Sequence, residues 1–177
     1  MSKLTLRKTL NSFEALELRA LILDLYSKSK EAKEILDFFA DPDIARKTEE
    51  YKAILTREAT RYSRRAFRPR MSRLRAAIRK FRLLEPGDEA VAELMVHTSL
   101  TLISLGAEKS LPDKLYLSIE TFLSETFDFL ADSGLLADNI ARFRKAADSL
   151  RRLAHGLRPN PLRDILARVM GARGLDI

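Results

Sequence analysis

Apolar residues recur along this chain every three or four positions, and nowhere do they alternate for long enough to make a strand. Val91, Leu94, Met95, Thr98, Leu102 and Leu105 fall at helical spacing, as do Leu115, Ile119, Phe122, Leu123, Phe127 and Leu130. Such a period places each set on one side of an α-helix, whereas a strand needs a period of two. The expected fold is all-α, with about eight or nine helices in a single antiparallel bundle or a short superhelix of helical hairpins. Short connections favour antiparallel neighbours, and no fixed-period repeat selects the superhelix. The 177 residues suit one domain over 1–177 with a real core and a frayed tail at about 171–177.

Punctuation residues place the boundaries. A short helix is expected over Thr5–Leu10. Ser12 caps a second, running to about Tyr26 with Leu16, Leu21, Ile22 and Leu25 apolar, and Ser29 caps a third that buries Ile35, Phe38 and Phe39. Asp41-Pro42 has the pattern of an N-cap with proline at the first helical position, and it starts a long helix through Arg68. Pro69 stops that helix, because a residue before proline avoids the α region, and Ser72 caps the next. This fifth helix buries Leu74, Ala77, Ile78 and Phe81 and ends near Glu85-Pro86-Gly87. Asp88 begins the sixth, with Gly106 at its C′ position. Leu111-Pro112-Asp113 opens the seventh, which stops at Gly134; the eighth spans about Asp138 to His155, and Pro161 leads into a last one with Leu162, Ile165, Leu166 and Val169.

Charge is concentrated in one place. Of the 26 residues from Arg57 to Arg82, eleven are Lys or Arg and one, Glu58, is acidic, so this stretch carries +10 in a chain whose net charge is +7. Arg57, Arg61, Arg64, Arg65 and Arg68 fall at i, i+4, i+7, i+8 and i+11, which puts them on one side of a helix in a stripe of roughly 16 Å. Ile44, Tyr51, Leu55, Ala59, Tyr62 and Ala66 take the opposite, buried side. Arg75 and Arg79 flank the apolar face of the next helix, and Arg70 sits at the proline corner between the two. The candidate anion- or partner-binding set is Arg57, Arg61, Arg64, Arg65, Arg68, Arg70, Arg75 and Arg79, carried by a basic helix pair over 57–82.

Little else points to chemistry. The absence of cysteine excludes disulfides, thiol catalysis and cysteine metal sites. The two histidines lie far apart: His97 reads as a half-buried, hydrogen-bonded residue of an apolar helix, and His155 as a cation at a helix C-terminus. Neither has metal-ligand spacing, and no phosphate-binding glycine loop or nucleophile elbow occurs. Glu49-Glu50, Asp88-Glu89 and Asp37 with Asp41 are carboxylate pairs of the kind charged helix surfaces produce by chance. No enzyme class, metal or cofactor is therefore expected. MSKLTLRKTL lacks the apolar core of a signal peptide, and no unbroken apolar run reaches membrane-spanning length, so a cytoplasmic location is expected.

Six motifs follow one another along the chain: SKLTL at the N-terminus, Ile22-Leu23-Asp24-Leu25-Tyr26, the lysine- and glutamate-bearing stretch Lys30 to Phe38, SRLRAAIRKF at Ser72 to Phe81, Pro86-Gly87-Asp88 and the tyrosine-bearing Leu115 to Leu130. Together they resemble a bacterial domain-of-unknown-function family of small helical proteins. The resemblance implies an all-helical fold and carries over no activity and no site.

The arginine segment therefore sets the functional expectation. Guanidinium forks match carboxylate and phosphate, so the segment suits a binding module that docks an acidic protein surface or a second subunit. A mate is available within the chain: Glu108 to Asp138 holds seven acidic residues and two lysines. The alternative is a nucleic-acid backbone bound without sequence preference. The aromatic residues Tyr62, Phe67 and Phe81 are assigned mostly to apolar faces, which argues against base stacking. An anionic membrane surface is a weaker reading, because the apolar side of Ser72 to Leu84 suits a protein core.

Overall fold

The computed structural model describes residues 2–63, 66–108, 111–153 and 161–175. Among these residues there are nine helices and one very short two-stranded ladder: α1 (Lys3–Leu10), α2 (Ala15–Lys28), α3 (Lys30–Ala40), α4 (Ile44–Ala59), β1 (Tyr62–Ser63), β2 (Ala66–Phe67), α5 (Met71–Arg82), α6 (Asp88–Glu108), α7 (Asp113–Asp132), α8 (Leu136–Leu153) and α9 (Pro161–Gly171). The fold is all-α. The chain divides into two compact units, Met1–Asp43 and Ile44–Ile177.

In the first unit α2 and α3 meet at Ser29, whose hydroxyl accepts the Ala32 N–H at 3.2 Å as an N-cap. The two helices pack against each other, and the Tyr26 hydroxyl donates to Asp37 Oδ1 at 2.8 Å between them. α2 starts later than Ser12. Glu14 and Glu17 form a capping box, and the Ser12 hydroxyl instead donates to the carbonyl of Thr9. Phe38 is buried, but Ile35 and Phe39, expected beside it in the core, are exposed.

The second unit is a bundle built around α6, which packs against α4, α5, α7, α8 and α9. Being touched on several sides, α6 is apolar nearly all round. Over Asp88–Ala107 its mean hydropathy of 1.4 meets the length and composition of a membrane-crossing helix, a feature that a search for unbroken apolar runs passes over. Leu55, Leu74, Phe81, Leu94, Phe122, Phe127 and Phe143 fill the core, with the Phe127 and Phe143 rings tilted against each other at a centroid distance of 4.6 Å. One buried polar pair joins α6 and α7, Ser99 Oγ to Thr126 Oγ1 at 3.1 Å.

Gly106 is not a C-cap. It lies inside α6, buried, where a Cβ would come within 3.2 Å of Leu162 Cγ, 2.9 Å of Leu111 Cδ1, and closer still to Leu162 Cδ1. Glycine is required there because α9 presses Leu162 onto the α6 backbone. Gly134 does play the expected terminal role, with φ at 74° and the Leu135 N–H donating back to the Leu130 carbonyl at 2.8 Å after α7. His155 lies outside the described residues.

Candidate anion-docking site

The long arginine helix does not form. α4 begins at Ile44 rather than at the Asp41-Pro42 signal, and it ends at Ala59, well before Pro69. Continuation to Arg68 would align five like charges at i, i+3 and i+4 separations, each such pair destabilising a helix by about 0.2–0.5 kcal/mol. The chain turns instead into an antiparallel ladder in which Tyr62 faces Phe67 and Ser63 faces Ala66. The Arg68 N–H donates to the Arg61 carbonyl at 3.0 Å, so Arg61 and Arg68 stand opposite each other at the base of the hairpin. Arg70 then becomes the N-cap residue of α5, which starts one residue before the expected cap Ser72.

Glu58, the single acid of the segment, anchors this corner. Its carbonyl accepts the Arg70 N–H at 3.2 Å, and its largely buried carboxylate faces the Arg70 guanidinium at 3.6 Å and that of Arg73 at 4.0 Å. Those separations make ion pairs rather than hydrogen bonds, and Glu58 Oε2 is buried with no hydrogen-bond partner among the described residues.

The eight candidate arginines have different fates. Arg70 is half-buried against Glu58. Arg75 is half-buried too, its Nε donating to both carboxylate oxygens of Glu125 at 3.2 and 3.0 Å. Arg57, Arg61, Arg68 and Arg79 are exposed, and none of them pairs with a carboxylate among the described residues. Arg64 and Arg65 lie outside the described residues. The positive surface is therefore a helix–hairpin–helix corner in place of a straight stripe on a helix pair.

Two other corrections bear on the site. Tyr62, assigned to a buried helix face, is 56% exposed on the hairpin beside Arg61; Phe81 is buried, as expected for its face. Ile44, expected to be buried, is exposed. Three of the seven acidic residues from Glu108 to Asp138 are engaged within the chain: Glu125 with Arg75, Glu120 with Arg168 of α9, and Asp128 with Arg173.

Beside the corner a groove of about 480 Å³ runs between α5 and α7 over Met95 of α6. Arg75 lies over the Phe122 ring at 5.7 Å and Arg82 over Phe129 at 4.5 Å, so the two helices run in the same sense along it. Arg75, Arg79 and Arg82 form one rim, and Glu125, Asp128 and Asp132 the other. The acidic rim belongs to the Glu108 to Asp138 stretch singled out in the sequence, and the i, i+3, i+7 spacing of Glu125, Asp128 and Asp132 is what puts these three on one face.

A second polar cluster joins α4, α6 and α8. Glu93 accepts from Arg142 at 2.5 Å and from Lys52 at 2.9 Å. Burial pushes its carboxyl upward, but those hydrogen bonds outweigh it and hold the group below the usual carboxylate value. His97 Nε2 is 2.8 Å from Thr56 Oγ1, and burial followed by the Lys52 charge lowers its pKa. Among the described residues no group of three His, Asp or Glu side chains converges as a metal site.

Residues 1–154 match the family described as Family of unknown function (DUF6155). The chain belongs to this family. The match covers the first unit and the second as far as the end of α8, leaving α9 beyond it. No curated protein and no solved structure matches the chain.

Proposed function

We propose that this member of DUF6155 is a binding module that docks an acidic protein surface on its arginine corner. One observation carries the reading: Arg57, Arg61, Arg68 and Arg79 are exposed with no carboxylate partner among the described residues, and Arg61 and Arg68 face each other across the ladder. Like charges placed opposite in a ladder cost about 0.2–1 kcal/mol, a cost that a bridging anion removes. A partner carboxylate between two guanidinium forks is well matched in charge and planarity. The corner is compact, which suits a local acidic patch better than the extended charge track of a nucleic-acid backbone. The acidic stretch of a second copy is a weaker mate, since Glu120, Glu125 and Asp128 are already engaged.

The exposure of Tyr62 favours a second reading. An aromatic ring beside exposed arginines suits a base stacked above a bound phosphate, so single-stranded nucleic acid is the alternative partner.

Fluorescence anisotropy separates the two. Labelled polyglutamate, single-stranded DNA and RNA, and duplexes are titrated across a salt series with the native protein, an Arg61→Glu/Arg68→Glu variant and Tyr62→Ala. Binding of polyglutamate in preference to nucleic acid, weakened by salt and lost in the double variant, is the expected result. Tighter binding of single strands that Tyr62→Ala selectively weakens makes nucleic acid the partner. No binding of any probe at low salt sinks both readings.

A further inference from the structure

We propose that the groove between α5 and α7 binds short apolar peptides with free ends, a dipeptide or tripeptide, taking the carboxylate at Arg79 and the ammonium at Asp132. The inference lies beyond the arginine corner and does not rest on that reading, since Arg79 is shared but neither Arg61 nor Arg68 lines the groove.

The groove is bridged at one end and open along the rest. α5 and α7 both pack on α6, whose Met95 lies beneath them. Arg75 Nε donates across it to both carboxylate oxygens of Glu125, a tie from wall to wall. Past that tie the floor is apolar, with Ile78, Met95 and Phe129. Its volume of about 480 Å³ falls within the roughly 300–1,000 Å³ of small-ligand sites.

Pairing within the chain leaves charge of both signs unmatched. Glu125 is held by Arg75 and Asp128 by Arg173, whereas Asp132 is exposed and has no ion-pair partner among the described residues. On the other rim Arg79 is exposed with no carboxylate partner among the described residues. Arg82 lies over the Phe129 ring between them, where its N–H groups can donate to a peptide carbonyl. Asp132 is also the last residue of α7, where the terminal carbonyls favour a cation, so the ammonium belongs at this end and the carboxylate at Arg79.

Spacing sets the length of the ligand. Arg75 lies over Phe122 and Arg82 over Phe129, the same offset both times, so Arg79 stands level with Thr126. Asp132 is six residues farther along α7, roughly 9 Å at about 1.5 Å per residue. A single amino acid carries both charges on one carbon and cannot reach both residues. An extended chain advances ~3.3–3.6 Å per residue, so a dipeptide or tripeptide spans the gap. Its side chains then rest on the apolar floor. The interior of a polypeptide lacks the two terminal charges, so the free ends are what the rims select.

Isothermal titration calorimetry of the full chain with trileucine tests the inference. Free trileucine is expected to bind with a Kd below ~1 mM. N-acetyl-trileucine amide keeps the side chains without the charges and should bind about tenfold more weakly, both ion pairs being lost. Asp132→Asn should weaken free trileucine about two- to fivefold, the range for an exposed ion pair, and leave N-acetyl-trileucine unchanged because it has no ammonium. Arg79→Gln should likewise weaken free trileucine and spare trileucine amide. Both residues are exposed, so helical circular dichroism should be unaltered. Arg61→Glu/Arg68→Glu should retain peptide binding, which separates the groove from the corner. Absence of binding at millimolar trileucine overturns the inference. So do equal affinities for the free and doubly blocked peptides, variant effects that ignore which end is blocked, or loss of peptide binding in Arg61→Glu/Arg68→Glu.

Discussion

Gly106→Ala is the substitution whose sign best tests the packing of the bundle. In an open helix interior, replacing glycine by alanine stabilises by about 1 kcal/mol. At Gly106 the new methyl would lie 2.9 Å from Leu111 Cδ1, 3.2 Å from Leu162 Cγ and nearer still to Leu162 Cδ1. A leucine tip can usually swing aside, but Leu162 is completely buried and Leu111 nearly so. The methyl must therefore push α9 from α6 or force Leu162 out of its rotamer. Overpacking of this kind costs about 1–3 kcal/mol, and partial loss of Leu162 burial adds to it, so the net change is a destabilisation of about 1–2 kcal/mol after the helix gain. For a chain of this length that lowers Tm by roughly 2–8 °C. Urea unfolding followed by circular dichroism should show a lower midpoint with an unchanged slope. Leu162→Ala alone should cost about 2–5 kcal/mol, yet in the Gly106→Ala background it should cost less by ~1 kcal/mol or more, because the cavity accepts the methyl. A stabilised Gly106→Ala with additive effects in the double variant would refute the close contact between α6 and α9.

Two further predictions concern the polar contacts. His97 has a lowered pKa in the fold, so its contribution to stability is fully present above its ordinary value of 6.5 and is lost as pH falls through the folded value; urea midpoints of the native chain should drop between pH 7.5 and 5, and those of His97→Gln should drop less. Glu93 has a lowered pKa too, but its contribution is lost only below its ordinary value of 4.5, outside that window. A double-mutant cycle on Arg75→Ala and Glu125→Ala should return a coupling of about 0.2–1 kcal/mol that shrinks with salt, the range for a partly exposed ion pair; a salt-independent coupling would mean a drier contact than the groove implies.

Helices α5 and α7 were legible because residues that share a face in the sequence also share a core in the fold. Leu74, Ile78 and Phe81, or Ile119, Phe122, Leu123, Phe127 and Leu130, are buried as their spacing requires. Local punctuation was less dependable, because a cap competes with its neighbours. Glu14 and Glu17 satisfy two backbone groups reciprocally and displace Ser12, and Gly106 has the composition of a helix end but serves a neighbour distant in sequence. Ile35 and Phe39 mark the opposite limit: spacing identifies an apolar stripe without saying whether the same chain covers it.

The arginine segment shows why charge alone does not define a site. Eight of its arginines, all among the described residues, fall into three situations that sequence spacing cannot distinguish. Arg70, Arg73 and Arg75 face Glu58 or Glu125, Arg82 lies on the Phe129 ring, and Arg57, Arg61, Arg68 and Arg79 are exposed without a carboxylate partner among the described residues. What sorts them is the point at which α4 stops. Carried through to Arg68, the helix would have turned Tyr62 inward and left its arginines in a single file; ended at Ala59, it exposes Tyr62 and brings Arg61 opposite Arg68. The hairpin that replaces the last turns of the long helix sets two guanidinium groups without a carboxylate partner among the described residues opposite each other, at a cost that a bound anion would relieve, so the turn that defeats the helical expectation is also the one that supports anion docking.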